Sequence, residues 1–477
     1  MPTLTKGVAL RGIIAYGSYL PYYRLQKGAI TAALGTGGGR GTRSVASYDE
    51  DATSMAVEAA RAAMATSDVS PAGVTFATAT PPYLDKTNAT VIHAALNLPS
   101  HVFAGDVAGA PRSVNAALRS ALDSSRPALV VASDVRSGRP GSSDEANLGD
   151  AAVGWLIGSD DDGPIIAEWV GGASATAEFL DRWRQPGWNY SRVWEERFGE
   201  HAYLPLVTEA ATAAFKQCQL EPTDVDAVII AGLHARAVRG AARAAGVDGA
   251  KVVDDLTEAV GNTGSPHAGL VLASVLDRAE PGQTIMVVHL ADGCDVGFVR
   301  TTDAISSYSP KITVADQIDA GNDGLDYNTF ITWRGFLERE PPRRPDPEPP
   351  AAPPSFRSED WKYAFIGSRD RSTGAVHLPP QRVSVKGGAV DDMEPIPMAD
   401  VPATVVTFTI DRLAYSLSPP VIAVVIDFDG GGRFQCQLTD ADPDDVKIGD
   451  RVTMTFRRLL TANGVHNYFW KARPARD

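Results

Sequence analysis

The chain has 477 residues, 44% of them apolar and 21% charged, with a formal net charge of −14. That length accommodates two or three domains with ordinary cores, and the apolar fraction excludes a largely disordered chain. The acidic clusters SDDDG and DADPDD, and the lack of any Lys/Arg stripe interleaved with aromatics, argue against nucleic acid as a partner.

The opening MPTLTKGVALRGIIAYGSYLP lacks a basic n-region and a small-residue cleavage site. No stretch reaches the roughly 18 apolar residues of a membrane span, so a cytoplasmic protein that stays out of membranes is expected. Going along the chain, Ala-rich helical segments (54–65, 115–123, 204–217, 268–279) alternate with apolar strand-like runs (73–80, 127–133, 151–159, 227–233, 284–291), the pattern of α/β layering. A helix, a strand, a Gly/Ala turn and a second helix within about 52–135 recur in similar order within about 203–300, which suggests a duplication. The segment DVAGAPRSVNAALRSAL (106–122) reads as a strand end, a tight turn and a helix whose N-terminus carries Pro111. Cys218, Cys294 and Cys436 are too scattered for a disulfide framework or a zinc site.

EREPPRRPDPEPPAAPPS (338–355) predicts an extended, semi-rigid connector that forms neither helix nor central strand. Beyond it, five alternating runs (403–413, 419–429, 432–440, 450–459, 467–474) joined by Gly, Asp and Pro turns predict a small barrel of OB type. The expected organisation is residues 1–335, a linker 336–355, a ribbon-like segment 356–400 and an OB-fold domain 401–477.

SVASYDEDATSMAVEAARAAM, NLGDAAVGWLIGS, EFLDRWRQPG, GNTGSPHAGLVLASVLDRAEPGQTIMVV and the turn at 106–122 together resemble the hydroxymethylglutaryl-CoA synthase and ketoacyl-synthase III branch of the thiolase superfamily, over roughly residues 8–310. The resemblance implies an α/β fold, the thiolase-like five-layered α-β-α-β-α duplication, and an acyl-CoA or acyl-carrier thioester as ligand. The tail resembles the OB-fold domain that accompanies acyl-CoA thiolases and synthases and is led by a rubredoxin-like zinc ribbon. In GSRDRSTGAVHLPPQRVSVKGG the ribbon's four cysteine positions fall on Asp370, Thr373, Ser384 and Gly387. Oxygen ligands of that kind cannot replace four thiolates, so no zinc is expected.

Carried over residue by residue, the family's nucleophilic cysteine falls on Pro111, its histidine on Ala231 and its glutamate on Ala79. Proline has neither a thiol nor a backbone N–H, so an acyl-enzyme cannot form at that turn. Asn262 in GNTGS matches the loop whose side chain organises the thioester carbonyl. His234 and Tyr83 are candidates for the base; the alternatives are a helix-start surface histidine and a tyrosine satisfied by backbone. His267 is either a new acid/base or a helix N-terminal residue. Asp85 neighbours Tyr83, while Asp292 and Cys294 lie in LADGCDVG, read as a Gly-rich turn, with a relocated nucleophile as the minor alternative for Cys294. Arg236, Arg239 and Arg243 are either a patch for an anionic ligand or a solvated helix face.

A thioester-binding frame without its cysteine suits an aldolase-type C–C lyase, cleaving a β-hydroxyacyl-CoA by a retro-aldol step. Coenzyme A would be part of the substrate, with no other cofactor held tightly. The rival readings are a catalytically inactive acyl-CoA-binding or complex-forming protein and, weaker chemically, a hydroxymethylglutaryl-CoA synthase-type acyltransferase. The resemblance further implies a homodimer through paired edge strands and, as partners in lipid metabolism, an acyl-CoA dehydrogenase, hydratase or thiolase.

Overall fold

The structure is a computed structural model that describes residues 10–476 except 344, 346 and 389. The start of the expected first domain, residues 1–9, lies outside the described residues. The first part supplies strands β1 (Arg11–Tyr19), β2 (Gly73–Thr78), β3 (Phe103–Ala108), β4 (Ala128–Asp134), β5 (Ala151–Ser159), β6 (Ala167–Ala175), β7 (Ala227–Gly232), β8 (Thr284–Leu290) and β9 (Cys294–Thr301). Five of its helices carry the argument: α1 (Ala52–Met64), α2 (Ser113–Asp123), α3 (Glu196–Cys218), α4 (Ala235–Ala244) and α5 (His267–Leu276).

The nine strands form one mixed sheet in the order β7-β8-β9-β6-β1-β5-β4-β2-β3. In one half, β2 runs parallel to β3 and β4, whereas β4–β5 and β5–β1 are antiparallel. The other half repeats the pattern: β7–β8 is parallel, and β8–β9 and β9–β6 are antiparallel. A single parallel bridge, Val228 to Val252, stands where a counterpart of β3 would pair. The halves join where Gly12 and Ile13 of β1 meet Glu168 and Ala167 of β6.

The sequence explains the packing. AAVGWLIGS of β5 is buried throughout, as a strand covered on both faces must be. HAGLVLASVL of α5 is apolar all round and packs against β1, β5, β7 and β8. Gly269 lets α5 approach closely, because a methyl there would overlap the Trp155 ring. Helix α1 opens on a capping box, Asp51 accepting from Ser54 N and Ser54 Oγ from Asp51 N, both at 2.9 Å.

The tail contains β10 (Ala403–Asp411), β11 (Val421–Phe428), β12 (Arg433–Leu438), β13 (Arg451–Ala462) and β14 (Val465–Pro474). They pair in the order β10-β11-β12-β14-β13, and β10 also pairs with β13, so the β-rich, OB-like domain closes on itself. Its apolar interior, including Trp470 and Phe456, joins one continuous cluster with α1 and β2.

Two expectations need correction. The connector does not stay extended to 355: Ala352–Arg357 is a short helix with proline in its first turn, where no intrahelical N–H is required. Cys294 and Asp295 do not lie in a turn but begin β9; only 291–293 make the turn.

The ribbon survives as a three-stranded sheet of Ile366–Asp370, Val376–His377 and Met393–Pro397. The residues at the zinc positions do converge. Asp370 accepts from Ser372 Oγ at 2.8 Å and Thr373 Oγ1 at 2.6 Å, and Thr373 lies against Gly387. Hydrogen bonds from Ser384, Thr373 and Ser372 hold the Asp370 carboxyl well below the usual carboxylate range. A carboxylate and hydroxyls satisfied by one another do not fit zinc, and among the described residues no cluster of His, Cys, Asp and Glu is placed to hold a metal.

Candidate active site

Three loops converge at one end of the sheet, and one carboxylate ties them. Asp134, at the end of β4, is fully buried. Its Oδ1 accepts from Thr78 Oγ1 at 2.9 Å and Ala79 N at 2.7 Å, while its Oδ2 accepts from Ser265 N at 2.8 Å. The turn after Asn262 passes close enough that Gly264, at φ +77°, has no room for a side chain beside Asp134. Sequence reading missed Asp134; an acid closing an apolar strand was the available signal.

Pro111 is half-buried just before α2. The adjoining Arg112 reaches across to the β8–β9 turn, donating to Asp295 Oδ2 and to the carbonyl of Asp292, each at 2.8 Å. Ala231 lies in β7, in register with His289 of β8. Ala79 is buried, and Arg184 donates to its carbonyl at 2.6 Å. Asn262 sits beside β7, with Nδ2 donating to Gly232 O at 2.9 Å and Oδ1 accepting from Gly264 N at 3.0 Å.

His234 is the buried N-cap of α4, its Nδ1 accepting from Ala237 N at 3.1 Å, and it lies against Gly199 and Tyr203. Tyr83 is at the domain boundary: its hydroxyl accepts from His466 N at 2.7 Å and its ring lies 4.6 Å from the His466 ring. Asp85 is exposed. On α4, Arg236 is half-buried and Arg239 exposed, and neither is among the described residues lining the cleft below. His267 is buried at the start of α5 and accepts from Thr263 N at 3.3 Å; burial lowers its pKa to about 4.

A cleft of about 300 Å³ opens where the 78–80 and 134–136 loops meet the OB-like domain. Arg136, Arg184, Arg334 and Arg458 line it, with Trp188 and Tyr190. Arg334 is paired with Asp150, and Arg458 approaches Asp51 at 3.6 Å. Arg458 comes from β13, so the OB-like domain completes the cleft wall. Glu50 and Asp51 also line the cleft and Arg136 stands 3.8 Å from Asp134, so most of the guanidinium charge is matched within the protein and the remainder favours an anionic ligand.

None of the chain's three cysteines offers an activated thiolate. Burial pushes the Cys294 and Cys436 thiols up to about 12 and raises that of Cys218. Among the described residues, no helix is long and apolar enough to cross a membrane.

Residues 396–457 match the family described as ChsH2, C-terminal OB-fold domain. The hydroxymethylglutaryl-CoA synthase of Methanopyrus kandleri is 30% identical over 345 residues, covering 69% of this chain and 96% of that protein. That of Thermoplasma volcanium is 28% identical over 346 residues, covering 69% and 93%. Among solved structures, 3-oxoacyl-(acyl carrier protein) synthase III from Pseudomonas aeruginosa superposes with a TM-score of 0.54 at 19% identity, covering 61% of this chain and 98% of that one. An HMG-CoA synthase complexed with CoA gives 0.55 at 17%, covering 69% and 91%. At such identities the two structures speak for the fold alone.

Proposed function

The chain belongs to the hydroxymethylglutaryl-CoA synthase family of the thiolase superfamily, with an OB-fold domain fused behind it, and on that premise we propose that it cleaves a β-hydroxyacyl-CoA by a non-covalent, retro-aldol step. What supports this reading is the family membership together with an arginine-lined cleft and the alignment of Pro111 with the family's nucleophile, although among the described residues neither Pro111 nor Asn262, His234 or Tyr83 lines that cleft. A CoA thioester carries phosphates that guanidinium groups recognise. Cleavage between the α and β carbons needs a base for the β-hydroxyl and donors for the thioester enolate, and no acyl-enzyme. Asn262 is the proposed enolate donor, His234 and Tyr83 are the proposed bases, and Arg236 and Arg239 would steer the anion from the flank.

The proposed assembly is a cytoplasmic homodimer with the thiolase five-layered arrangement in each subunit. Supporting it, β3 is an edge strand and its Phe103 is 68% exposed. An acyl-CoA dehydrogenase, hydratase or thiolase is the class of partner that would supply the substrate or consume the product.

One observation favours a second reading, a non-catalytic acyl-CoA-binding protein: Arg184 covers the carbonyl of Ala79, and Ala231 and Ala79 are inert. A panel of β-hydroxyacyl-CoA thioesters separates the two. Cleavage should survive iodoacetamide and gain nothing from Pro111→Cys. Asn262→Ala should lower the rate by about 10²–10³, the usual loss for one oxyanion donor. If no thioester is cleaved or condensed while coenzyme A still raises Tm, the binding reading replaces the enzyme.

A further inference from the structure

A second cavity, separate from the arginine-lined cleft, lies in the middle of the first part between α2, α5 and the β6–β9 half of the sheet. It measures about 120 Å³ and its walls are apolar, with Leu118, Trp155, Trp169, Leu272 and Val299 among them. One end is polar. Asn115, one helical turn after Pro111, donates from Nδ2 to His289 Nδ1 at 2.9 Å and to Asp295 Oδ2 at 2.8 Å. Turning the amide over would set its oxygen against the carboxylate, so Nδ1 of His289 is the acceptor and its Nε2 carries the proton. His289 lines the cavity and is 4% exposed. Burial lowers its pKa to about 4, which keeps the ring neutral with one N–H to give.

One carboxylate at that end is shared. Arg112 and Arg119 both pair with the single carboxylate of Asp295, at 2.8 and 3.3 Å. The nearby buried histidine, His267, is also held neutral by its burial. Arg119 therefore only shares its carboxylate, and it stands half-exposed beside a compact, largely apolar space. Size decides what the space can hold. A cavity of about 150 Å³ lined by aliphatic and aromatic side chains binds benzene, so this one, at about 120 Å³, suits a compact ligand.

We propose that this second cavity is a binding site for a compact apolar monocarboxylate, an aromatic or short branched acid, with its carboxylate toward Nε2 of His289 and the Arg119 guanidinium. The proposal does not depend on the retro-aldol reading, since none of the groups proposed for that reaction lines the cavity.

Trp155 and Trp169 report directly on occupancy. Benzoate should change the tryptophan fluorescence of the full chain saturably and raise its Tm, with acetate far weaker because it fills little of the space. Arg119→Gln changes a half-exposed side chain and should weaken benzoate about fivefold, in line with loss of one partly solvated ion pair, while leaving benzyl alcohol unchanged. Val287→Phe, which fills the cavity, should abolish both responses; Leu118→Phe provides the same test should that variant fail to fold. Absence of any benzoate response up to millimolar concentrations overturns the proposal. So does a response that coenzyme A competes away, or one that persists in both filled variants, since either places the ligand elsewhere.

Discussion

Arg457 shows what a single residue carries at the domain boundary. It is fully buried on β13 and contacts Glu50 at 2.7 Å, Asp440 at 2.6 Å and Asp49 at 3.5 Å. Removing one member of such a group strands the remaining charges, a loss of about 3–5 kcal/mol. Arg457→Ala should therefore lower the denaturation midpoint strongly, whereas Arg433→Ala, an exposed pair with Asp427, should change it by no more than about 1 kcal/mol. Urea titration of both variants checks the contrast. The proposed loss of the family's catalytic groups is also a residue-scale reading: that Pro111, Ala231 and Ala79 carry no nucleophile, acid or base is a property of the side chains themselves and needs no coordinates. Asp134 and Arg184 could not, because their roles are contacts made across dozens of intervening residues.

At the scale of elements, the ribbon is held by Asp370 and three hydroxyl side chains in place of a metal. Asp370→Ala should open the 366–397 segment to proteases first, and added zinc should not restore protection. Limited proteolysis with and without zinc tests this; rescue by zinc would refute the replacement. The fit of α5 to β5 makes a second element-level test. Gly269→Ala should destabilise by about 1–3 kcal/mol or more, the range for overpacking a filled core, although alanine is the better helix former. A more stable variant by thermal melting would show that Trp155 moves freely.

For the whole molecule, the shared apolar cluster of α1, β2 and the OB-like strands predicts one cooperative unfolding transition, despite the proline-rich connector between the two parts. Acid should loosen that junction. Burial alone would raise the pKa of Asp49, but Lys471 at 2.8 Å and Arg457 outweigh it and hold the carboxyl well below the usual range. A lowered carboxylate pKa stabilises above the unfolded value, near 4, and that stability is lost as the pH falls. Glu50, whose pKa burial raises, works in the opposite sense and reduces the slope. Between pH 7 and pH 3.5 the Tm of the native chain should fall more than that of Asp49→Asn, which lacks the titrating group. Light scattering at micromolar concentration tests the dimer; a mass that stays at the 50.5 kDa of one chain defeats it.

Most of the order of helices and strands and the OB-like tail were legible in the sequence. Apolar periodicity, turn residues and side-chain chemistry are local properties, and they survive in a one-dimensional reading. The strands β1, β6 and β9 were not read: RGIIAYGSY lies in the opening segment, AEWVGGASA is glycine-broken, and CDVGFVRT follows a turn that masked its start. Only the tertiary structure decided that arginines from positions 136, 184, 334 and 458 face one cleft, that hydroxyls gather on Asp370 where cysteines were absent, and that His289 stands beside Ala231 across two paired strands. Each of these is a meeting of distant segments, fixed by the closing of the sheet and the burial of the domain interface, which no local spacing in the chain encodes.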